Sequence, residues 1–172
     1  MPSRLVYASS RKLIEQLAGH VKTLHAENRS VLLITTRDPA SLMLRRFKEA
    51  GVNLDRLFII DAVGTRAGAE WTNDPEHLMY LSTPNQLELI AMRAEKAIRQ
   101  KAEGIPHVLI CTCNSFALYN APEALEELVR YTLHNLVRPK AWMDFVVEED
   151  APIDAGLKGF LESFIEGRAR LA

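Results

Sequence analysis

The chain is poor in the residues that announce a function. It has two cysteines, Cys111 and Cys113, one residue apart. Two thiols so close cannot staple a disulfide framework, so a reducing cytoplasm is the expected compartment. No apolar run approaches the roughly 20 residues that cross a bilayer. The start, Met1-Pro-Ser-Arg-Leu5, lacks the apolar core of a secretory signal. An excess of one charge is missing too: the net charge is -1, which makes no electrostatic case for nucleic acid. Repeats, low-complexity tracts and Gly/Ser linkers are absent. What remains is an ordinary globular composition over 172 residues, expected to form one domain spanning 1–172 with a full core.

Short apolar runs alternate with helical patterns along the chain. Leu5 to Ala8, Val31 to Thr36, Arg56 to Ala62, His77 to Leu81, Val108 to Thr112 and Ala141 to Val147 read as strands. Between them lie amphipathic helices. The first carries Leu13, Leu17, Val21 and Leu24, with Ser9 or Ser10 as its N-cap. Asp38 followed by Pro39 reads as the cap and first residue of the second, which stops at Gly51. Thr83-Pro84-Asn85-Gln86 reads as a capping box, and Asn120-Ala-Pro-Glu123 as a further helix start. Asp154 to about Ala169 reads as a last helix. Alternation of this kind predicts a three-layer α-β-α domain whose mostly parallel sheet is buried on both faces.

In such a fold, ligands sit at the C-terminal ends of the strands. Ser9, Ser10, Arg11 and Lys12 then stand at a helix N-terminus, where free N–H groups and the helix dipole favour an anion. The same residues also read as a capped helix with solvated basic side chains. Asp38 has the chemistry of a general base and, equally, the position of a cap. Asp61 ends its strand as turn chemistry. Cys111 and Cys113, two apart on a strand, are expected on one side of the sheet; a nucleophilic or redox pair is conceivable, but small buried hydrophobes is the better reading. His20, His25, His77, His107 and His134 have no spacing that completes a metal site, so no metal is expected. Gly64 to Glu76, with Trp71, reads as a polar loop suited either to a partner or to folding back. The last helix, with Phe160 and Phe164, covers the sheet or meets another subunit.

Four segments carry a resemblance: Val31 to Pro39, Gly51 to Asp61, Leu81 to Leu87 and, above all, Val108 to Asn120 with its closing Leu-Tyr-Asn. In order and spacing they resemble the RecA-like superfamily, specifically its KaiC-like and Rad55-like branch. They are especially similar to archaeal KaiC-like proteins proposed to act in signal transduction. The resemblance implies a RecA-like P-loop NTPase core. The departures then matter most. The family's phosphate loop, Gly-x-x-x-x-Gly-Lys-Thr or Ser, is replaced by the short, glycine-free Tyr7 to Leu13. Its Mg²⁺-associated Asp aligns with Cys111, and a neutral thiol is a poor partner for a hard cation. Its paired glutamates, which orient the attacking water, align with Arg37 and Asp38.

Phosphoryl transfer rests on positioning and electrostatics, and those parts are gone. The expectation is therefore a core lacking the P-loop and not an enzyme: a non-hydrolysing regulatory or assembly protein working through a protein partner or self-association, possessing no resident cofactor. The alternative is a nucleotide-binding sensor or weak ATPase that holds ATP through Ser9, Ser10, Arg11, Lys12, Asp38 and Thr112.

Overall fold

Every strand the sequence predicts is present, and all of them run the same way. The computed structural model describes residues 3–63, 77–101, 105–137, 141–165 and 167–172. The strands are β1 (Ser3–Ala8), β2 (Arg29–Thr35), β3 (Leu57–Asp61), β4 (Leu78–Tyr80), β5 (Ile105–Cys111), β6 (Trp142–Glu148) and β7 (Gly167–Arg170). Their order is β4-β3-β2-β5-β6-β1-β7, with every pair parallel. The helices are α1 (Leu13–Ala26), α2 (Ala40–Glu49), α3 (Leu87–Lys101), α4 (Cys113–Ala117), α5 (Pro122–Thr132) and α6 (Ala155–Phe164).

Parallel strands need crossovers, and the crossover helices cover both faces. On one face α1 and α2 bring Leu17, Val21, Met43 and Phe47 onto Leu33, Ile59, Leu109 and Val146. On the other, α3, α5 and α6 bring Ile90, Ala94, Leu125, Leu128 and Leu157 onto Ile34, Ile60, Ile110 and Phe145. Each fully buried Leu, Ile or Phe stabilises the fold by about 1.5–3 kcal/mol. Among the described residues no helix is long and apolar enough to cross a membrane.

Helix ends follow local chemistry. Gly51 closes α2 at φ 74°: its N–H donates to the Lys48 carbonyl, and the Val52 N–H reaches back to Phe47 at 2.9 Å. This paired closure requires a left-handed residue, which glycine adopts without a Cβ clash.

Four local expectations are corrected. The cap of α1 is Lys12, with no side-chain bond, not Ser9 or Ser10. Asp38 does not cap α2. Pro39 holds that position, and the Ala40 N–H donates instead to the buried Asp61 carboxylate at 2.6 Å. Asp61 also accepts from the Val63 N–H at 2.7 Å, so one side chain makes the turn and the distant cap. Helix α3 starts at Leu87 rather than after Thr83, because Thr83 to Gln86 form a turn closed by the Gln86 N–H.

The last helix stops at Phe164, and Gly167–Arg170 becomes strand β7 on the edge of β1. Unpaired N–H and carbonyl groups along β1 outweigh the helical pattern there. Glycine permits the pairing: a Cβ on Gly167 would lie 2.8 Å from the Ser3 carbonyl oxygen.

Candidate functional site

The four central strands β2, β5, β6 and β1 end side by side, and their C-terminal rim collects most of the predicted site. After β1 the chain turns through Ser9, whose carbonyl accepts the Lys12 N–H at 3.2 Å. The Ser9 N–H donates to Gln16 at 2.9 Å. The Ser10 N–H donates to the Asp150 carboxylate at 2.7 Å, and the Ser9 hydroxyl reaches the same carboxylate at 3.4 Å. An internal carboxylate therefore occupies the N–H group at which the sequence led one to expect an anion. The Ser10 amide holds the Asp150 carboxyl below the usual carboxylate range. The Ser10 hydroxyl is enclosed and has no protein partner. Arg11 and Lys12 are exposed.

Arg37 spans the rim from β2. Its guanidinium pairs closely with the buried Glu148 and donates to the Ser10 carbonyl at 3.0 Å. It also lies 3.5 Å from Asp38. Burial raises the Asp38 carboxyl above its ordinary value, against the pull of Arg37. Thr112 is fully buried and caps α4: it accepts from the Ser115 N–H at 3.2 Å, and its hydroxyl donates to Glu148 at 2.8 Å. Thr36 and Ser115 join hydroxyls at 2.7 Å. Asn114 reads the end of β6 through both ends of its amide, accepting from the Glu148 N–H and donating to the Glu148 and Ala151 carbonyls.

Ser9, Ser10, Asp38 and Thr112 thus gather on one rim, though each is already engaged within the chain. Sequence reading missed Glu148 and Asp150. The signal for them was the acidic run Glu148-Glu149-Asp150 directly after a buried strand. It also read the segment after β5 as a turn, whereas Cys113 opens the short helix α4 behind a Thr112–Ser115 capping box.

That helix separates the thiols. Cys111 packs in the α1/α2 core and Cys113 in the α3/α5/α6 core, so the expectation that they share a side is overturned. Helical geometry after Thr112 breaks the strand's two-residue alternation. Burial pushes the Cys111 thiol well up, and the Cys113 thiol up to about 12. Nucleophilic thiols need the opposite shift. Both cysteines should react slowly with an aromatic disulfide reagent in the native protein and rapidly in denaturant; fast native labelling would revive a thiol chemistry.

A second polar cluster lies low in the sheet, away from the rim. Asp144, in the middle of β6, is 1% exposed. Arg4 of β1 donates to both its oxygens, at 2.8 and 2.7 Å. His20 of α1 and His107 of β5 bring Nε2 atoms to 2.8 and 2.9 Å of Oδ2. The two histidines that looked scattered in sequence therefore converge. The three ligand atoms lie within 4.8 Å of one another, the reach of a metal.

Charge decides against that use. Arg29 Nη1 approaches His107 Nδ1 at 3.1 Å, which makes Nδ1 an acceptor and places the ring proton on Nε2. Nε2 is the nitrogen a metal would need. Arg4 already neutralises the Asp144 carboxylate through both its oxygens, and Arg29, paired with Glu27 at 2.9 Å, stands on the far side of the His107 ring. The cluster is a buried ion pair in which His20 donates to the carboxylate and His107 Nε2 stands close against it. These contacts hold the Asp144 carboxyl far below its ordinary value despite burial.

Burial is also the main force lowering the His107 pKa, aided by His20 and Arg29 and opposed by Asp144. Below its ordinary value of 6.5 the unfolded chain therefore binds the proton that the fold refuses. Stability should fall as pH drops from 7.5 to 5.5. Replacing His107 by glutamine should reduce that dependence, leaving the part due to His25, whose pKa burial also lowers, measured as melting temperature across the range.

No protein-family model and no characterised protein sequence matches the chain. Solved structures do resemble it. The Pyrococcus horikoshii protein PH0250 superposes with a TM-score of 0.64 at 12% identity, covering 99% of this chain and 82% of its own. PH0321 of the same organism, solved in complex with an unknown peptide, gives 0.58 at 16%, covering 95% and 73%. The KaiC-like protein PH0186, also from that organism, gives 0.56 at 16% identity over 93% of this chain and 67% of its own. With its all-parallel, seven-stranded sheet between two helical layers, the chain has a KaiC-like fold.

Proposed function

We propose that the protein is a non-hydrolysing member of the KaiC-like fold that works as a regulatory or assembly subunit through protein contacts. One observation carries the reading: the phosphate position is filled from within. Asp150 takes the Ser10 N–H, and Arg37 is spent on Glu148 and the Ser10 carbonyl. A triphosphate would meet the carboxylates of Asp38, Glu148 and Asp150 around one committed guanidinium. Hydrolysis also needs a metal carboxylate after β5, where Cys111 stands with its thiol neutral. A binding role is in keeping with the peptide held by the neighbouring protein PH0321. Signal transduction is the setting that the sequence resemblance suggests for it.

The test is calorimetric titration of ATP and ADP, with and without Mg²⁺, with light scattering on the same sample. The expected result is no heat at millimolar nucleotide. Saturable heat, or phosphate release above background, would overturn the reading in favour of a nucleotide sensor using Ser9, Ser10, Arg11 and Lys12.

A further inference from the structure

The seam between α3 and α5 is open to solvent. It forms a groove of about 790 Å³ with Ala91 and Leu128 at its floor. Met92 and Tyr131 form its walls and are 62% and 42% exposed. Asn120 marks one end, and the two residues before it, Leu118 and Tyr119, are 77% and 39% exposed. Among the described residues, four of the five exposed large hydrophobics therefore lie in this groove or next to its end. The fifth, Phe164, is stacked on Phe160 beneath Arg130. Clustered apolar exposure of this kind marks an interaction surface.

The rim has one sign of charge. Among the described residues, Glu88 and Glu127, both exposed, are the charged residues lining the groove, and no lysine or arginine lines it. Arg130, three residues beyond Glu127, lies over Phe160 and Phe164 at 4.9 and 4.7 Å. From Ala124 to Tyr131 the groove runs about 10 Å along α5, the length of two helical turns. A methionine wall adapts to the shape of an incoming side chain, and tyrosine supplies rigid contact area.

We propose that this groove docks a basic amphipathic helix of a partner protein. Its apolar face, with side chains at i, i+3 or i+4 and i+7, fills the floor, and its Lys or Arg residues stand opposite Glu88 and Glu127. The inference rests on the reading above that the protein acts through contacts, and it names the partner's chemistry. A second copy of the chain fits less well, because a two-fold contact across this seam sets Glu88 and Glu127 against their own kind. Nucleic acid and anionic lipid are repelled by the same two carboxylates.

The test uses the full chain and two labelled synthetic 14-residue helices. Both carry leucines at helical spacing; one has lysine at every other polar position and the other has glutamate. Fluorescence anisotropy should show saturable binding of the lysine peptide, weakened by high salt, with the glutamate twin at least tenfold weaker. The double variant E88K/E127K and the single variant Met92→Glu should each lose at least tenfold while remaining folded, E88K/E127K melting slightly below the parent because Glu88 stands in the first turn of α3. Glu49→Lys, on exposed α2 surface, should bind as the parent does.

Equal binding of the two peptides, or full binding to E88K/E127K, would overturn the proposal. So would a doubled mass by light scattering of the chain alone that Met92→Glu abolishes, since a second copy would then be the occupant. Nucleotide heats on the same preparation bear on the proposed function alone, so the two failures are separable.

Discussion

Replacing Asp144 by alanine should lower the melting temperature by about 10 °C. The side chain is 1% exposed and receives Arg4 twice, His20 once and the close approach of His107. Removing it leaves a guanidinium without its carboxylate and strands a fully buried imidazole. Breaking a buried pair from one side costs about 3–5 kcal/mol. Total stability for a domain is about 5–15 kcal/mol, so a large share is lost. At about 2–4 °C per kcal/mol for a chain of this size, the expected loss brackets 10 °C. Asp144→Asn keeps shape but not charge and should fall between the two. Urea midpoints on the three proteins check the order. A loss below about 1 kcal/mol for the alanine variant would match an exposed ion pair instead and would mean that the cluster contributes little.

Glu148→Ala should do two things at once. It should destabilise the fold by about 2–3 kcal/mol, less than Asp144→Ala, because Glu148 holds a half-buried guanidinium and a hydroxyl, whereas Asp144 also faces the fully buried His107 ring. It should also create an anion site, since Arg37 and the Thr112 hydroxyl lose the carboxylate that both now hold. At 10 mM ligand, a site with a dissociation constant near 1 mM adds about 1.4 kcal/mol to the folded state. Pyrophosphate or ATP should therefore raise the melting temperature of the variant by a few degrees and leave the parent unmoved. If both proteins respond alike, the rim already binds anions and the internal carboxylates do not block it.

These two clusters were not equally legible. Arg37 and Asp38 were legible through the family resemblance, at the place of its paired glutamates, and Thr112 as the last residue of a central strand, where strand ends meet at one rim. Glu148 and Asp150 follow a strand by the same rule and were overlooked. Asp144, His20, His107 and Arg4 sit on different elements, up to 140 residues apart, and no spacing connects them. Their meeting depends on β1 and β5 flanking β6, a fact of strand order that periodicity does not carry. The loop with Trp71, Gly64 to Glu76, lies outside the described residues.

Alternating apolar runs and amphipathic helices determined the layered α/β class, the parallel sheet and the two buried faces, because burial period is written locally in the chain. The missing glycines after β1 determined that no standard phosphate loop exists there. Tertiary structure decided the rest. It converted the end of a helical pattern into β7, where pairing with β1 outweighed propensity. It split Cys111 and Cys113 between two cores by starting a helix between them. It placed Asp150 on the Ser10 amide and Asp61 under α2, joining groups that only a folded sheet brings within reach.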